Sequence, residues 1–189
     1  MILNFETHRL SLRLFKQSDA KMVQVLAGNV EVAGTTLSIP HPYPDGVAEA
    51  WIENTLRSLE KGDIYTFALV KKENDSLIGC MSLGVSKNHK RAELAYWIGQ
   101  PFWGQGFATE AANRIVKFGF EELELNRIFA AAMTKNPGSY KVMNKIGMKE
   151  EGTFPQHVLK WGVHEDLVFY GMVKADYYKK IWDDTRRDL

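Results

Sequence analysis

Residues 96–111 read YWIGQPFWGQGFATEA, and this stretch joins an apolar strand to a helix through a glycine turn. Apolar residues continue behind the turn at helical spacing, and they are Ala111, Ala112, Ile115, Val116 and Phe120. Gly104 and Gly106 lack a Cβ, so backbone N–H groups there can approach an anion closely, and the first turn of a helix adds unpaired N–H donors. The stretch therefore favours a phosphate cradle, although an ordinary loop with two glycines has the same pattern.

The composition around the turn narrows the kind of phosphate site. No Lys or Arg lies between Gln100 and Asn113, so backbone amides must hold most of the anion. A dinucleotide-binding loop would read G-x-G-x-x-G, but Thr109 occupies the third glycine position, and no G-x-x-x-x-G-K-[ST] run is present. The turn is therefore neither a Rossmann loop nor a Walker loop.

The overall composition predicts one cytoplasmic domain. A chain of 189 residues with 45% hydrophobic content can bury a substantial core, which we place at about residues 8–175 of a single domain over 1–189. With 24 basic and 23 acidic residues the formal net charge is only +1, so the chain has no overall electrostatic field that would attract nucleic acid or an anionic membrane. Neither partner is therefore expected. A lone cysteine, Cys80, cannot form an internal disulfide and is expected to be buried.

Local patterns predict the elements that precede the turn. Arg9–Leu14 alternates as a strand, and Ser18-Asp19 cap a helix that ends at Gly28. We expect Met22, Val25 and Leu26 on the apolar face of this helix. A proline-broken loop, 38–44, follows. The next elements are a helix at about Val47–Lys61 and strands at Ile64–Val70, Leu77–Val85 and Ala92–Ile98. Their short connections predict an antiparallel meander.

The elements after the central helix are predicted in the same way. Arg127–Met133 is typical of a strand, and Asn136-Pro137 opens a helix that ends at Gly147. Two more strands are expected at about Met148–Val158 and Leu167–Val173, before a polar tail. Runs of strands beside separate helices indicate an α+β fold.

Several ordered motifs resemble one superfamily. They are Ala92–Ile98, the turn Trp103–Ala111, Asn126-Arg127-Ile128 and the run Asn136-x-x-Ser139-x-x-Val142-x-x-Lys145-x-Gly147. Together they resemble the GNAT superfamily of acetyl-CoA-dependent N-acetyltransferases. The opening 6–13, the 39–43 loop and the segment 162–166 resemble its RimJ/RimL-like branch of ribosomal-protein N-acetyltransferases, so the similarity covers about residues 6–173.

The resemblance implies a three-layer fold and a cofactor site. It implies a central mixed, mostly antiparallel sheet of about seven strands with about four helices, in which two strands splay and hold the pantetheine arm of acetyl-CoA. The residues that it assigns to the cofactor are Trp97, Ile98, Gly99, Trp103, Gly104, Gln105, Gly106, Phe107, Ala108, Thr109, Asn136 and Ser139. Trp103 departs from the superfamily's usual Gln or Arg, and Asn136 is equally compatible with a plain helix cap.

The resemblance implies direct transfer of an acetyl group from acetyl-CoA to an amine. This reaction needs a base that takes a proton from the amine, a donor that stabilises the oxyanion, and an acid that protonates the leaving sulfur. Glu93 is our candidate base, directly or through water, although it could instead be a solvated residue paired with Lys90 or Arg91. A backbone N–H near Ile98 is the expected oxyanion donor. Met143 stands where many relatives carry a tyrosine acid, so Ser139 takes that role by resemblance, with Tyr140 a weaker candidate.

The acceptor amine is expected between two loops. His41, Tyr43, Trp161 and His164 are the predicted substrate-binding residues, or alternatively aromatics that pack the loops. The acceptor is predicted to be a protein N-terminus, with a polyamine or aminoglycoside as alternatives. A catalytically idle acetyl-CoA-binding module is the other class of function left open. We expect no metal, because the five histidines lack ligand spacing, and a homodimer is possible.

Overall fold

A computed structural model describes residues 3–187 and contains one eight-stranded sheet. The strands are β1 (Phe5–Glu6), β2 (Leu10–Arg13), β3 (Ile64–Lys71), β4 (Leu77–Ser86), β5 (Arg91–Ile98), β6 (Arg127–Met133), β7 (Lys149–Lys160) and β8 (Val163–Val173). The helices are α1 (Ala20–Ala27), α2 (Val30–Gly34), α3 (Val47–Lys61), α4 (Phe107–Lys117), α5 (Pro137–Lys145) and α6 (Lys174–Arg187). The strand order is β1-β2-β3-β4-β5-β6-β8-β7, and only β5 and β6 pair in parallel.

The predicted α+β fold is confirmed, with more elements than expected. The additional strand is β1, whose two residues are too few to show alternation. The additional helices are α2, which has five residues, and α6, which forms from the polar tail. The hairpin of β7 and β8 is also longer than predicted, because Val163 and His164 are exposed and give no alternating apolar signal. Trp161 and Gly162 close it, both with positive φ.

The apolar face predicted for α1 is wrong for two of its three residues. Met22 is 45% exposed and Val25 is 61% exposed, whereas Leu26 is buried. The buried face consists of Ala20, Val23, Leu26 and Ala27. Two of these are alanines, which fit where the helix lies close to α3 and β4, and the larger side chains point to solvent instead.

The expected splay lies between β5 and β6. The two strands are paired only at Arg91↔Arg127, Ala92↔Ile128 and Glu93↔Phe129. Beyond Glu93, β5 continues to Ile98 while β6 remains paired with β8 along its full length. The edge of β5 from residue 94 to residue 98 therefore faces a gap rather than a neighbouring strand.

Core side chains fill both faces of the sheet. On one face α4 packs against β2, β4 and β5, with Ile115 and Val116 buried. On the other face α3 packs against β3, and α1 packs against β4 and β5, with Ile52 and Val23 buried. Within residues 3–187, no helix has the length and apolar character needed to cross a bilayer. The cytoplasmic location stays a prediction.

Candidate active site

One cavity of about 1060 Å³ connects the glycine turn with the opposite face of the sheet. It begins at Trp103, Gly104 and the first turn of α4, follows the gap beside β5, and continues to residues of α1, α2 and α3. All but two of the predicted cofactor-binding residues line it, and the two outside are Gly99 and Gln105. A single continuous space thus joins the predicted cofactor site to the predicted acceptor site.

The glycine turn presents free backbone donors. Gly104 and Gly106 have φ angles of 74° and 81°, which side-chain-bearing residues rarely adopt. Gly106 is the N-cap of α4, and no side chain caps the helix there. The N–H groups of Phe107, Ala108 and Thr109 therefore have no intrahelical partner and lie at the positive end of the helix dipole. These features fit a diphosphate.

The peptide groups of β5 alternate between β4 and the gap. The Gly99 N–H donates to the Ile78 carbonyl oxygen at 2.8 Å, so Gly99 faces β4. Because strand peptides alternate, Trp97 also faces β4, whereas Tyr96 and Ile98 face the gap. The Trp103 indole Nε1 donates to the Ile98 carbonyl oxygen at 2.6 Å, which leaves the Ile98 N–H toward the gap. Of the backbone segment 97–99 predicted to pair with the cofactor, only Ile98 points toward it.

Arg9, which directly precedes β2, and Glu110 of α4 brace the turn, and sequence reasoning missed this contact. Arg9 Nη1 donates to the Gln105 carbonyl oxygen at 2.9 Å, and its Nε donates to Glu110 Oε2 at 2.7 Å. The Arg9 backbone N–H and the Thr7 hydroxyl both donate to Glu110 Oε1, at 2.7 and 2.6 Å. Burial alone would raise the pKa of Glu110, but these hydrogen bonds and the adjacent guanidinium lower it. The brace fixes a carboxylate and a cation beside the predicted anion site.

Ser139 lies at the start of α5, where Asn136 caps the helix by accepting the Ser139 N–H at 3.2 Å. The Tyr96 hydroxyl donates to the Ser139 carbonyl oxygen at 2.9 Å and lies 2.8 Å from Ser139 Oγ. Burial raises the pKa of Tyr96 to about 12, partly offset by the bond to Ser139. Tyr96 therefore keeps its proton at neutral pH. The sequence contained this tyrosine, but no local pattern showed that it reaches Ser139, 43 residues away.

Two other residues of α5, Met143 and the weaker candidate Tyr140, do not reach the cavity. Met143 is 1% exposed and belongs to the core, so it is a packing residue. Tyr140 stacks on Tyr170 with ring centroids 6.4 Å apart. Neither side chain lines the cavity.

Glu93 lines the cavity and is exposed, opposite Gly84 of β4. No ion pair within the described residues includes it, so the expected partners Lys90 and Arg91 do not hold it. It precedes Tyr96 by three residues and Ile98 by five, or about 10 and 16 Å at the rise of a strand. Those separations exceed direct hydrogen-bond reach, so any proton that Glu93 takes must travel through water.

Only one of the four predicted substrate-binding residues lies on the cavity wall. Tyr43 lines the cavity, whereas His41, Trp161 and His164 do not. The rings of His41 and Trp161 lie 5.9 Å apart, and His41 Nδ1 lies 3.0 Å from the Gly28 carbonyl oxygen. This arrangement matches the loop-packing alternative for His41 and Trp161.

Lys160, which sequence reasoning did not select, ties the same two loops together. It is 5% exposed, and its Nζ donates to the Ile39 carbonyl oxygen at 3.2 Å. Burial and nearby Lys135 lower the pKa of Lys160. The β7–β8 hairpin is thereby fixed to the loop that walls the acceptor end of the cavity.

The cavity carries opposite charges at its two ends. Lys141 and Lys145 line it on α5, and Glu31 and Glu93 line it on the other side of the sheet. Lys135 also lines it but is ion-paired with Glu165. Within residues 3–187, no group of three or more His, Cys, Asp or Glu side chains is arranged to hold a metal ion. The arrangement suits an anionic molecule at one end and a cationic amine at the other.

Comparisons with known proteins agree with this chemistry. The chain is 30% identical over 178 residues to a Bacillus subtilis (strain 168) protein named as a ribosomal N-acetyltransferase, YdaF, covering 89% of this chain and 93% of the relative. The structure of ribosomal-protein-S5-alanine acetyltransferase from Vibrio fischeri superposes with a TM-score of 0.82 at 22% identity, over 93% of this chain and 99% of that one.

A third relative was solved with bound molecules. It is the spermidine N-acetyltransferase from Vibrio cholerae in complex with CoA and spermine, with a TM-score of 0.77 and 22% identity over 90% of this chain and 98% of that one. The sequence profile of the acetyltransferase (GNAT) domain matches residues 9–149. The predicted resemblance to RimJ/RimL-like proteins is thereby confirmed, as is the use of acetyl-CoA. The chain belongs to the GNAT acetyltransferase family and is an acetyl-CoA-dependent N-acetyltransferase.

Proposed function

We propose that the chain acetylates the N-terminal amine of a protein, as the name of its Bacillus subtilis relative suggests for that protein. The observation that carries the proposal is the continuous cavity, with amide donors and lysines at one end and carboxylates at the other. An acetyl donor held at the glycine turn can meet an amine that enters from the α1–α3 side. A homodimer stays a further prediction.

The cofactor would lie along the gap beside β5. Its diphosphate would accept N–H bonds from the first turn of α4, and its pantetheine arm would lie along the gap-facing edge of β5 as an added strand does. The free Ile98 N–H is then available to the thioester carbonyl oxygen. Trp103 supports this placement, because its indole bond to Ile98 sets the geometry where β5 meets the turn.

The transfer would be direct. The amine nitrogen attacks the thioester carbonyl, the C–N bond forms, and the C–S bond breaks with the electron pair leaving on sulfur. The amine proton passes through water to Glu93, and the Ile98 N–H stabilises the oxyanion. The leaving thiolate takes the proton of the Ser139 hydroxyl, and the serine oxygen regains a proton from water, so that the proton lost overall is the one from the amine. Tyr96 acts as a positioning residue, because its hydroxyl donates to the Ser139 carbonyl oxygen and lies 2.8 Å from Ser139 Oγ, which fixes the serine at the start of α5.

A polyamine is the second candidate acceptor. The observation that favours it is the pair of carboxylates, Glu31 and Glu93, since two negative groups could each face one ammonium. This chain also shares its fold with the spermidine N-acetyltransferase from Vibrio cholerae.

The test is a turnover assay in which a thiol reagent detects free CoA. Peptides with free N-termini, the same peptides with blocked N-termini, spermidine and an aminoglycoside are compared as acceptors. We expect thiol release with free N-termini and none with blocked ones. The proposal is wrong if only spermidine or the aminoglycoside releases thiol, or if CoA binds and no amine reacts.

A further inference from the structure

The last three strands of the sheet carry helices on one side only. On the α1–α3 side of the sheet, α3 packs on β3, and α1 packs on β4 and β5. The helix α5 packs on β6, β7 and β8, but its Met143 and Ile146 share a core cluster with Val168 and Tyr170 of β8. Alternate residues of a strand point to opposite faces, so α5 covers the other side of these strands. Within residues 3–187, the α1–α3 side of β6, β8 and β7 is therefore largely open.

This open side carries a group of aromatic rings, which we call the aromatic face. Its residues are Phe129 on β6, Phe169 on β8, and Phe154 and His157 on β7. The rings of Phe154 and Phe169 lie 4.8 Å apart, and the ring of His157 lies 5.5 Å from the first and 5.8 Å from the second. Phe154 is 48% exposed, Phe129 and Phe169 are half-buried, and none of the three belongs to a core cluster. The chain thus holds three phenylalanines at its surface in one place.

The aromatic face is continuous with the acceptor end of the cavity. Ala131 and Leu167 line the cavity, and their register partners are Phe169 and Phe154. Counted across the sheet from β5, Phe169 lies two strand spacings away and Phe154 three, or about 10 and 14 Å. An extended polypeptide covers these distances in about three to five residues. An acceptor whose amine lies beside β5 therefore reaches the aromatic face with the residues that follow its N-terminus.

The chemistry of this face suits a polypeptide better than a polyamine. The guanidinium groups of Arg91 and Arg127 already lie 5.9 and 5.8 Å from the ring of Phe129, so a further cation would meet like charge there. Apolar side chains would instead bury surface against the exposed rings. The face thus fits an acceptor with apolar residues a few positions after its amine.

A second copy of the chain fits this place less well. The strand β7 is an edge of the sheet, but Pro155 has no N–H, and the pairing of β7 with β8 is interrupted between Phe154 and Val158. Both features disfavour strand pairing between copies. A copy that lay over the aromatic face would also obstruct the cavity at Ala131 and Leu167.

We infer that the aromatic face binds the acceptor polypeptide at about its third to fifth residues and favours apolar side chains there. The inference rests on the proposed function, because it concerns the acceptor of the same reaction. It extends the acceptor site from the cavity to the outer strands of the sheet.

The experiment compares peptide acceptors of increasing length with the whole chain. Peptides of two, four, six and eight residues share the same first two residues, and the third to fifth are leucine in one series and serine in the other. We expect kcat/KM in the leucine series to rise at least about fivefold from two to six residues and then to level off, with a smaller rise in the serine series. Equal values at all lengths would overturn this inference and leave N-terminal acetylation standing. If no peptide of any length reacts, the proposed function fails and this inference fails with it.

A variant tests the same inference from the protein side. Phe154→Ser removes the most exposed ring of the face, and we expect the ratio of kcat/KM between the eight-residue and two-residue leucine-series peptides to fall at least about fivefold. Trp182→Ser is the matched control, because Trp182 is 60% exposed on α6, and its ratio should equal that of the parent. CoA affinity reports whether each variant is folded. An unchanged ratio in folded Phe154→Ser contradicts the inference, and if that variant does not fold, the length series on the parent decides.

Light scattering under the assay conditions tests the other occupant. Parent and Phe154→Ser should have the same mass, because the inference assigns the face to the acceptor. If the parent is a dimer and Phe154→Ser is a monomer, the face belongs to a second copy and the inference is overturned.

Discussion

The cofactor end and the acceptor end of the cavity are built in different ways. The cofactor end depends on backbone groups in one continuous stretch, residues 96–111, with two left-handed glycines and the uncapped start of α4. The acceptor end depends on side chains from three helices and two strands, such as Val23, Trp51 and Trp97. Backbone sites leave a local pattern in the sequence, whereas side-chain sites assembled from distant elements do not.

The largest expected effect tests whether the cofactor end depends on its backbone. Gly106→Val forces a β-branched residue into φ 81° beside the Arg9 guanidinium, so the turn must change shape and move the amides that would hold the diphosphate. We expect CoA to bind at least about a hundredfold more weakly, equivalent to the loss of two hydrogen bonds to a charged group. Isothermal titration calorimetry measures this.

Gly46→Val is the matched control for that variant. Gly46 is also left-handed, at φ 79°, and precedes the first residue of α3, far from the turn. The two variants should lose similar stability, but Gly46→Val should bind CoA with the parent affinity. Equal losses of CoA affinity would show that the glycines act through stability alone.

A second test separates side-chain chemistry from cofactor binding. Tyr96→Phe removes the hydroxyl next to Ser139, and we expect kcat to fall about tenfold to a hundredfold with little change in CoA affinity. The double variant with Ser139→Ala should be no slower than Ser139→Ala alone, because Tyr96 acts through Ser139. Tyr177→Phe, which loses a comparable bond to Glu121, should keep its kcat. Additive losses in the double variant would contradict the positioning role.

A third test concerns the contact of Glu110 on α4 with Thr7 and Arg9, which precede β2. Glu110→Gln weakens three hydrogen bonds, and we expect a loss of about 1–3 kcal/mol of stability at pH 7. The folded-state pKa of Glu110 lies below its ordinary value of 4.5, so its bonds stabilise the fold above that pH and are lost as the pH falls through the folded-state pKa. The difference between parent and variant should therefore shrink below about pH 4.5.

Denaturant unfolding at several pH values measures this difference. Glu53→Gln, in an exposed pair with Arg57, should change stability little at any pH. A difference for Glu110→Gln that stays constant from pH 7 to pH 3 would contradict the assigned cause.

The smallest expected effect lies at the acceptor end. Lys160→Met keeps most of the apolar part of the side chain and removes the ammonium that donates to the Ile39 carbonyl oxygen. We expect KM for the acceptor to rise about threefold to tenfold, in line with one net hydrogen bond, while CoA affinity is unchanged. Lys179→Met on the exposed side of α6 should leave both constants unchanged. A change in CoA affinity would show that the two ends are not independent.

Most of the fold was predictable because hydrophobic periodicity and helix-capping residues are visible within short stretches of sequence. The bounds of α3 and β6 match the predicted ranges, and Asn136 caps α5 as expected. The two-residue strand β1 and the exposed start of β8 give no pattern that a sequence can show. The prediction of the apolar face of α1 was wrong because alanines, rather than larger residues, fit where the helix packs closely against its neighbours.

The candidate site also has a part that the sequence predicts and a part that it does not. The glycines and the helix start were found from the sequence, but Arg9 reaches Glu110 across 101 residues, and only the fold brings them together. The residues predicted for the acceptor were chosen because they are aromatic and lie on loops. Tyr43 alone of these lines the cavity, whereas other lining residues at that end, such as Val23 and Trp51, lie inside helices.

A crystal structure with CoA bound tests the central claim most directly. We expect the diphosphate oxygens within hydrogen-bond distance of the N–H groups at residues 104–109, the pantetheine arm in the gap beside β5, and the sulfur end of the arm near the Ile98 N–H. CoA bound elsewhere, or a diphosphate held by lysine side chains with these N–H groups unengaged, would contradict the account.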